Sequence, residues 1–256
     1  YRCPNKTVKI DNTAPTVPTV VLKKWAKNDT EPTSSNYKSL KSYSNNTWSK
    51  LNVYTRATSS TDSGSGGIKY YYTTTGKIGS ATATNGAHKS IDEEGTSTIK
   101  YKACDALNNC SNYSSTYTIK IDKTAPDFTL VKTGLNYDCR STGCVYAVCL
   151  KVNKDISLTK NNLHNVNSSC PNKTTYRGYT AGFTHYYPDT SSKYDSFADI
   201  GVYIGYRGFD EEYDSCTKIK VCDRANNCKT KEFKITTNSD HSIKKIRSVS
   251  GCNKNS

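Results

Sequence analysis

Three features of the sequence predict an all-β chain of two tandem domains, built from antiparallel strands and braced by disulfides. The first is a repeated phrase. Residues 101–126 read YKACDALNNCSNYSSTYTIKIDKTAP and residues 219–235 read IKVCDRANNCKTKEFKI, with a partial copy, YRCPNKTVKIDNTAP, at residues 1–15. Cys104 and Cys222, like Cys110 and Cys228, stand 118 residues apart (222−104, 228−110), a spacing of whole domains and not of solenoid repeats. The second is the alternation of apolar and polar residues within the phrase, the period of a strand with one buried face. The third is the cysteine count: 11 Cys and 20 Tyr fill much of the 34% apolar share, so the aliphatic core is thin and disulfides are expected to supplement it.

Taken in order, residues 1–12 read as the last strand of a preceding repeat, because VKIDNTAP matches IKIDKTAP. Cys3 then falls at the place of Cys110, and its partner is expected upstream. The first domain is expected over residues 13–121. It opens with VPTVVLKKW, crosses a polar stretch from Asn28 to Ser49 and resumes strand character at LNVYTRA, with Trp25 and Trp48 as core plugs. TDSGSGG supplies a turn. In the following IKYYYTTT, alternation sends Tyr71 to the face opposite Tyr70 and Tyr72. Asp92, Glu93 and Glu94 read as a solvated turn. In TSTIKYKAC, Ile99, Tyr101 and Ala103 share one face and Lys100, Lys102 and Cys104 the other; Tyr117, Ile119 and Ile121 then alternate with Thr118 and Lys120. DALNN joins these strands as a hairpin, with the Asp accepting backbone hydrogen bonds and the second Asn, Asn109, left-handed.

The second domain, residues 122–237, repeats this parity. Ile219 and Val221 oppose Lys218, Lys220 and Cys222, and Phe233 and Ile235 follow. The hairpin cysteines therefore lie on the outer face, where Cys104–Cys110 and Cys222–Cys228 would contribute about 2 kcal/mol each for so short a loop. Cys139 and Cys144 flank RSTG as a tight hairpin pair. In CVYAVCLKV, Tyr146, Val148, Leu150 and Val152 form the apolar set and leave Cys149 on the polar side, while Cys216 shares the outward parity of Lys218. Cys149, Cys170, Cys216 and Cys252 then allow three connectivities, of which Cys149–Cys170 is preferred on proximity. Residues 155–208 repeat least, and residues 238–256 read as a polar, basic tail or linker.

The same residues exclude several function classes. Five residues separate each repeated Cys pair, which matches neither the tighter half-sites of structural zinc nor CxxC redox chemistry, so disulfides and an extracellular, secreted or cell-surface setting are expected. The formal charge is +14, but the basic residues are dispersed among Tyr, Thr and Ser without a dense run or recognition helix. No nucleic-acid partner is expected; a diffuse, salt-sensitive attraction to an acidic polymer is the functional alternative to a merely solvated surface. No apolar run spans a bilayer, so no membrane insertion is expected of this stretch. Asp105 and Asp223, beside paired Asn, have oxygen ligands suited to calcium but lack the dense acidic spacing of calcium loops, so no metal and no cofactor is expected. His185 with Asp189 is the one suggestive catalytic pair, without a supporting motif, and no enzyme activity is expected. The aromatic segment around Tyr179, Phe183, His185, Tyr186 and Tyr187 forms a candidate platform for sugar rings in a non-repeated region.

The succession LNVYTRATSSTDSGSGGIKYYY, EEGTSTIKYKACDALNNCS and YTIKIDKTAP resembles the bacterial immunoglobulin-like repeats of multidomain cell-surface, adhesin-type proteins. Asp62, Ser65, Gly67, Ile68 and Tyr71 approximate the element that opens their third strand. Glu94 and Gly95 match the turn before the sixth, Asp105, Ala106 and Asn109 the final hairpin, and Asp122, Thr124, Ala125 and Pro126 the linker. The resemblance covers the first domain well and the second mainly at its end; the hairpin cysteines and the missing SGI element of the second domain depart from it. It implies immunoglobulin-like sandwiches in a monomeric segment of a longer bacterial surface protein, serving as stalk or spacer and in adhesion. Host or wall glycans and other surface proteins are its implied partners; a carbohydrate-binding module appended to an enzyme is the alternative.

Overall fold

A computed structural model describes the backbone of residues 10–64, 66–140, 143–152, 163–165, 175–176, 179–180, 197–205, 214–238 and 243–250. Side chains are described for residues 10–64, 66–130, 222–234, 236, 238 and 243–250. The chain divides into two compact units, Tyr1–Lys123 and Thr124–Ser256. Their boundary falls inside the DKTAP segment, just past the Ile121–Asp122 boundary expected from the repeat. Regular structure among the described residues is almost wholly strand, with one 3₁₀ turn at Tyr37–Ser39.

Unit 1 contains β1 (Thr19–Trp25), β2 (Trp48–Ser49), β3 (Asn52–Thr58), β4 (Lys69–Gly76), β5 (Ala81–Asn85), β6 (His88–Ile91), β7 (Gly95–Cys104) and β8 (Tyr117–Ile121). They form two sheets, ordered β1-β3-β6 and β2-β8-β7-β4-β5. The inward parity read from the sequence places Ile99, Tyr101 and Ile119 on the core face of the second sheet, all fully buried. They join Leu22, Val53 and Ile91 of the first sheet in one apolar cluster, so the sheets face each other across a shared core. Tyr70 and Tyr72 pack against this cluster, whereas Tyr71 pairs with the outward Lys102.

The polar stretch before β3 does more than link strands. Trp25, Tyr37 and Tyr54 form a second buried cluster, packed by Val21 and Leu40. Tyr54 alternates with the core residues Val53 and Thr55 yet is fully buried, so Tyr37 and its neighbours cover the outer face of the β1-β3 pair. Tyr43 ties the same stretch to the other sheet: its ring lies in the main core, its hydroxyl donates to Thr47 O at 2.5 Å, and it accepts the Lys120 N–H at 3.0 Å. Trp48, expected as a core plug, instead stands half-buried on the outer face of β2, with Lys120 Nζ 5.9 Å from its ring centre. The physical reason is parity: Ser49, its neighbour, takes the inward position opposite Ile121.

Unit 2 contains β9 (Phe128–Arg140), β10 (Gly143–Val152), β11 (Leu163–Asn165), β12 (Thr175–Tyr176), β13 (Tyr179–Thr180), β14 (Phe197–Gly205), β15 (Asp214–Cys222), β16 (Cys228–Thr237) and β17 (Ile243–Val249). Its sheets are ordered β14-β10-β9, β11-β15-β16-β17 and β12-β13. The first order matches β6-β3-β1 of unit 1, and β11-β15-β16 matches β4-β7-β8. Phe128, Leu130 and Phe233 are buried, with the two phenyl rings 6.0 Å apart. Residues 238–256, read as tail or linker, include β17, which pairs antiparallel with β16 from Glu232↔Val249 to Thr237↔Ile243.

Candidate functional site

Both units close one hairpin, β7–β8 in the first and β15–β16 in the second, with the same device. Cys104–Cys110 and Cys222–Cys228 are disulfides, each with 4.1 Å between Cα atoms. Within the first, Asp105 Oδ1 accepts the N–H groups of Leu107 (2.9 Å) and Asn109 (2.8 Å), and Oδ2 accepts Asn109 Nδ2 at 2.8 Å. Within the second, Asp223 Oδ1 accepts the N–H groups of Ala225 and Asn227, and Oδ2 accepts Asn227 Nδ2. Both aspartates are buried. The left-handed residue is the first Asn of each pair, Asn108 (φ 67°) and Asn226 (φ 64°), not the second as expected. The second Asn must keep its amide turned inward to donate to the aspartate, while the first absorbs the reversal that closes the turn. Cys104, outward by parity, is nonetheless buried, and Cys110 is exposed. The turn lies against the approach to β4, where Ala106 N–H donates to Gly66 O at 3.2 Å.

In unit 1 the turn also gathers two distant carboxylates. Asp11, from the IDNTAP segment, and Asp62, from the loop before β4, each bring an oxygen within 4.8 Å of the others and of Asp105. Asn109 Nδ2 donates to Asp11 O at 3.0 Å, and Asp11 Oδ1 accepts the Thr13 N–H at 2.9 Å. Asp62 Oδ2 accepts the Gly66 N–H at 3.2 Å, while its Oδ1 is buried without a hydrogen-bond partner. Gly64 lies so close to the Asp11 carboxylate that a Cβ there would displace that side chain. Three carboxylate oxygens are the donor type of calcium or magnesium, but about six to eight oxygens complete a calcium shell. Asp105 already receives three N–H groups, so its geometry is that of a turn cap. The cluster of three was not legible in the sequence, because its members come from segments about fifty and forty residues apart (62−11, 105−62).

The other residues singled out by sequence are placed unevenly. Tyr179 lies on β13 with its backbone opposite Tyr176. Phe183, His185, Tyr186, Tyr187 and Asp189 lie outside the described residues, as do Cys3, Cys170 and Cys252. Cys139 and Cys144 stand directly opposite each other in the β9–β10 register, the backbone arrangement that Cys222 and Cys228 also have. Cys149 lies on β10 between Val131 and Asp199 of the flanking strands, and Cys216 lies on β15 opposite Lys234. Asp92, Glu93 and Glu94 are exposed, and Glu94 accepts the Lys123 N–H at 2.7 Å. At the start of unit 2, Lys229 and Lys231 hold Asp127 at 2.7 and 2.9 Å and lower its pKa to about 2. No helix among the described residues is long and apolar enough to cross a membrane. No protein-family model, characterised protein or solved structure matches the chain.

Proposed function

We propose that the chain comprises two immunoglobulin-like modules of an extracellular, surface-displayed bacterial protein, serving as a non-catalytic spacer with a capacity for adhesion. The observation that carries this reading is the shared construction of the two units. Each has a three-stranded sheet of one order, a second sheet built on one hairpin, and an identical Cys–Asp–Asn closure of that hairpin. A device repeated in successive units suits load-bearing better than chemistry, since a catalytic constellation needs to occur only once. The disulfides are compatible with an oxidising, extracellular compartment.

Pulling the chain between its termini in a single-molecule experiment tests the reading. Two separate unfolding events that recover on relaxation are expected. Unfolding without resistance, or a catalytic turnover abolished by one substitution, would overturn it.

A further inference from the structure

The two outer sheet faces of unit 1 differ in a way that points to a ligand. The face of β1-β3 is covered by the unit's own Tyr37 cluster. The face of β2-β8-β7-β4-β5 carries no such buried cluster among the described residues; Tyr113 crosses it, its hydroxyl accepting from Thr73 Oγ1 at 3.0 Å, and the outward strand positions include Lys69, Lys100, Lys102 and Lys120. No outward strand position on this sheet is acidic; the first carboxylate in line, Asp122, lies past the end of β8. None of the four lysines forms an ion pair among the described residues.

Aromatic rings are interleaved with these charges. Lys100 Nζ and Lys102 Nζ stand 4.5 and 5.5 Å from the centre of the Tyr113 ring, and Lys120 Nζ stands over Trp48. Tyr71 is the cross-strand neighbour of Lys102. From Lys120, level with Thr96, to Lys69, level with Cys104, is eight residues of β7 (104−96), or about 27 Å at ~3.4 Å per residue.

We propose that this face binds a linear anionic polysaccharide. The ammonium groups would meet its sulfates or carboxylates, and Tyr71, Tyr113 and Trp48 would offer ring faces to its sugars. Three features favour that partner. Lysine is depleted at the centres of protein–protein interfaces, which speaks against an acidic protein. The outward strand positions hold no arginine, the residue that reads phosphates and base edges in bidentate fashion, which speaks against nucleic acid. Threonine hydroxyls flank the lysines on the same face, and Thr75 and Thr98 Oγ1 lie 2.6 Å apart, a surface matched to a hydroxyl-rich chain. The inference does not rest on the spacer reading, and its failure would leave that reading intact.

Immobilised heparin is the probe, with the whole chain in about 0.15 M salt, where exposed charges act over about 8 Å. Lys100→Glu/Lys102→Glu/Lys120→Glu lowers the formal charge from +14 to +8, and so does the control Lys27→Glu/Lys38→Glu/Lys41→Glu, on exposed residues of the stretch covering the other sheet (14−6). Loss of at least about tenfold in affinity is expected for the first variant and less than about threefold for the second, since net charge alone acts on both alike. Tyr113→Ala is expected to weaken binding at unchanged charge. The corresponding Lys→Gln triple carries the test should the Glu triple fail to fold. Equal losses in both charge variants, absence of heparin binding, tighter binding of duplex DNA, or loss of binding only in Tyr186→Ala/Tyr187→Ala would each overturn the assignment.

Discussion

Tyr101 concentrates much of what holds unit 1 together. Its ring is fully buried between the sheets and meets Tyr72 edge-on at 5.9 Å. Its hydroxyl lies 2.6 Å from Thr55 Oγ1 and 3.3 Å from Thr55 O, and Thr55 Oγ1 also reaches Lys89 O at 3.0 Å. Burial pushes its pKa well above the ordinary phenol value of 10.0, with the Thr55 bond opposing the shift. A group with a raised folded-state pKa contributes stability that is present below the unfolded value and is lost as pH rises toward the folded one. Tyr101→Phe is therefore expected to cost about 1 kcal/mol near pH 8, one net hydrogen bond, since Thr55 keeps its bond to Lys89. The deficit should shrink above about pH 10, because ionisation of this phenol then favours only the unfolded wild-type chain. Urea midpoints of both proteins at about pH 8 and pH 11 check this; a gap that stays constant or widens would contradict it. The position was readable from sequence, because Ile99, Tyr101 and Ala103 keep one parity, but its partner on β3 was not, since no local pattern pairs residues 46 apart.

Among the elements, the closing hairpin combines two supports of different physical kind. The disulfide spans a sequence separation of six, so its effect on the unfolded chain is limited to about 2 kcal/mol. Asp105, by contrast, is a buried carboxylate satisfying three N–H groups, and its removal leaves those donors without their acceptor, at about 1–3 kcal/mol for each group left buried. Asp105→Ala is accordingly expected to destabilise unit 1 more than Cys104→Ala/Cys110→Ala, by about 3 against about 2 kcal/mol. Equilibrium urea denaturation of the two variants decides the order, and the reverse ranking would reassign the hairpin's stability to its disulfide. The hairpin was legible because period-two alternation and paired cysteines are local signals. The cover over β1-β3 was not: the stretch from Asn28 to Ser49 has no periodicity, and Tyr37 acquires its role only by folding back onto Tyr54 at 5.9 Å. Register also extends the likeness of the units beyond what phrases reveal. Leu163 stands opposite Val221 as Tyr70 stands opposite Ala103. In the sequence, Asp155 precedes Leu163 by the same eight residues that separate Asp62 from Tyr70 (163−155, 70−62), a correspondence hidden by the loss of the SGI phrase.

At the scale of the whole molecule, the thin aliphatic content is divided between two cores, each needing its own closure. Unit 1 buries Val53, Ile91, Ile99, Tyr101 and Ile119 completely, and unit 2 buries Phe233 with Phe128 and Leu130. Domains of this length are only marginally stable, so the disulfide and the aspartate network of each unit are a large fraction of its total. Because each unit carries its own sheets, core and hairpin closure, cooperativity is expected to stop at the boundary between Lys123 and Thr124. Differential scanning calorimetry of the whole chain should then resolve two transitions. Asp105→Ala should lower one of them and Asp223→Ala the other, each by about 10 °C or more for a loss near 3 kcal/mol in a domain of this size. Reducing agent should lower both, since Cys104–Cys110 and Cys222–Cys228 are distributed one to each unit. A single transition moved equally by either aspartate substitution would make the chain one cooperative block, and the repeated hairpin would then be a feature of sequence without energetic independence.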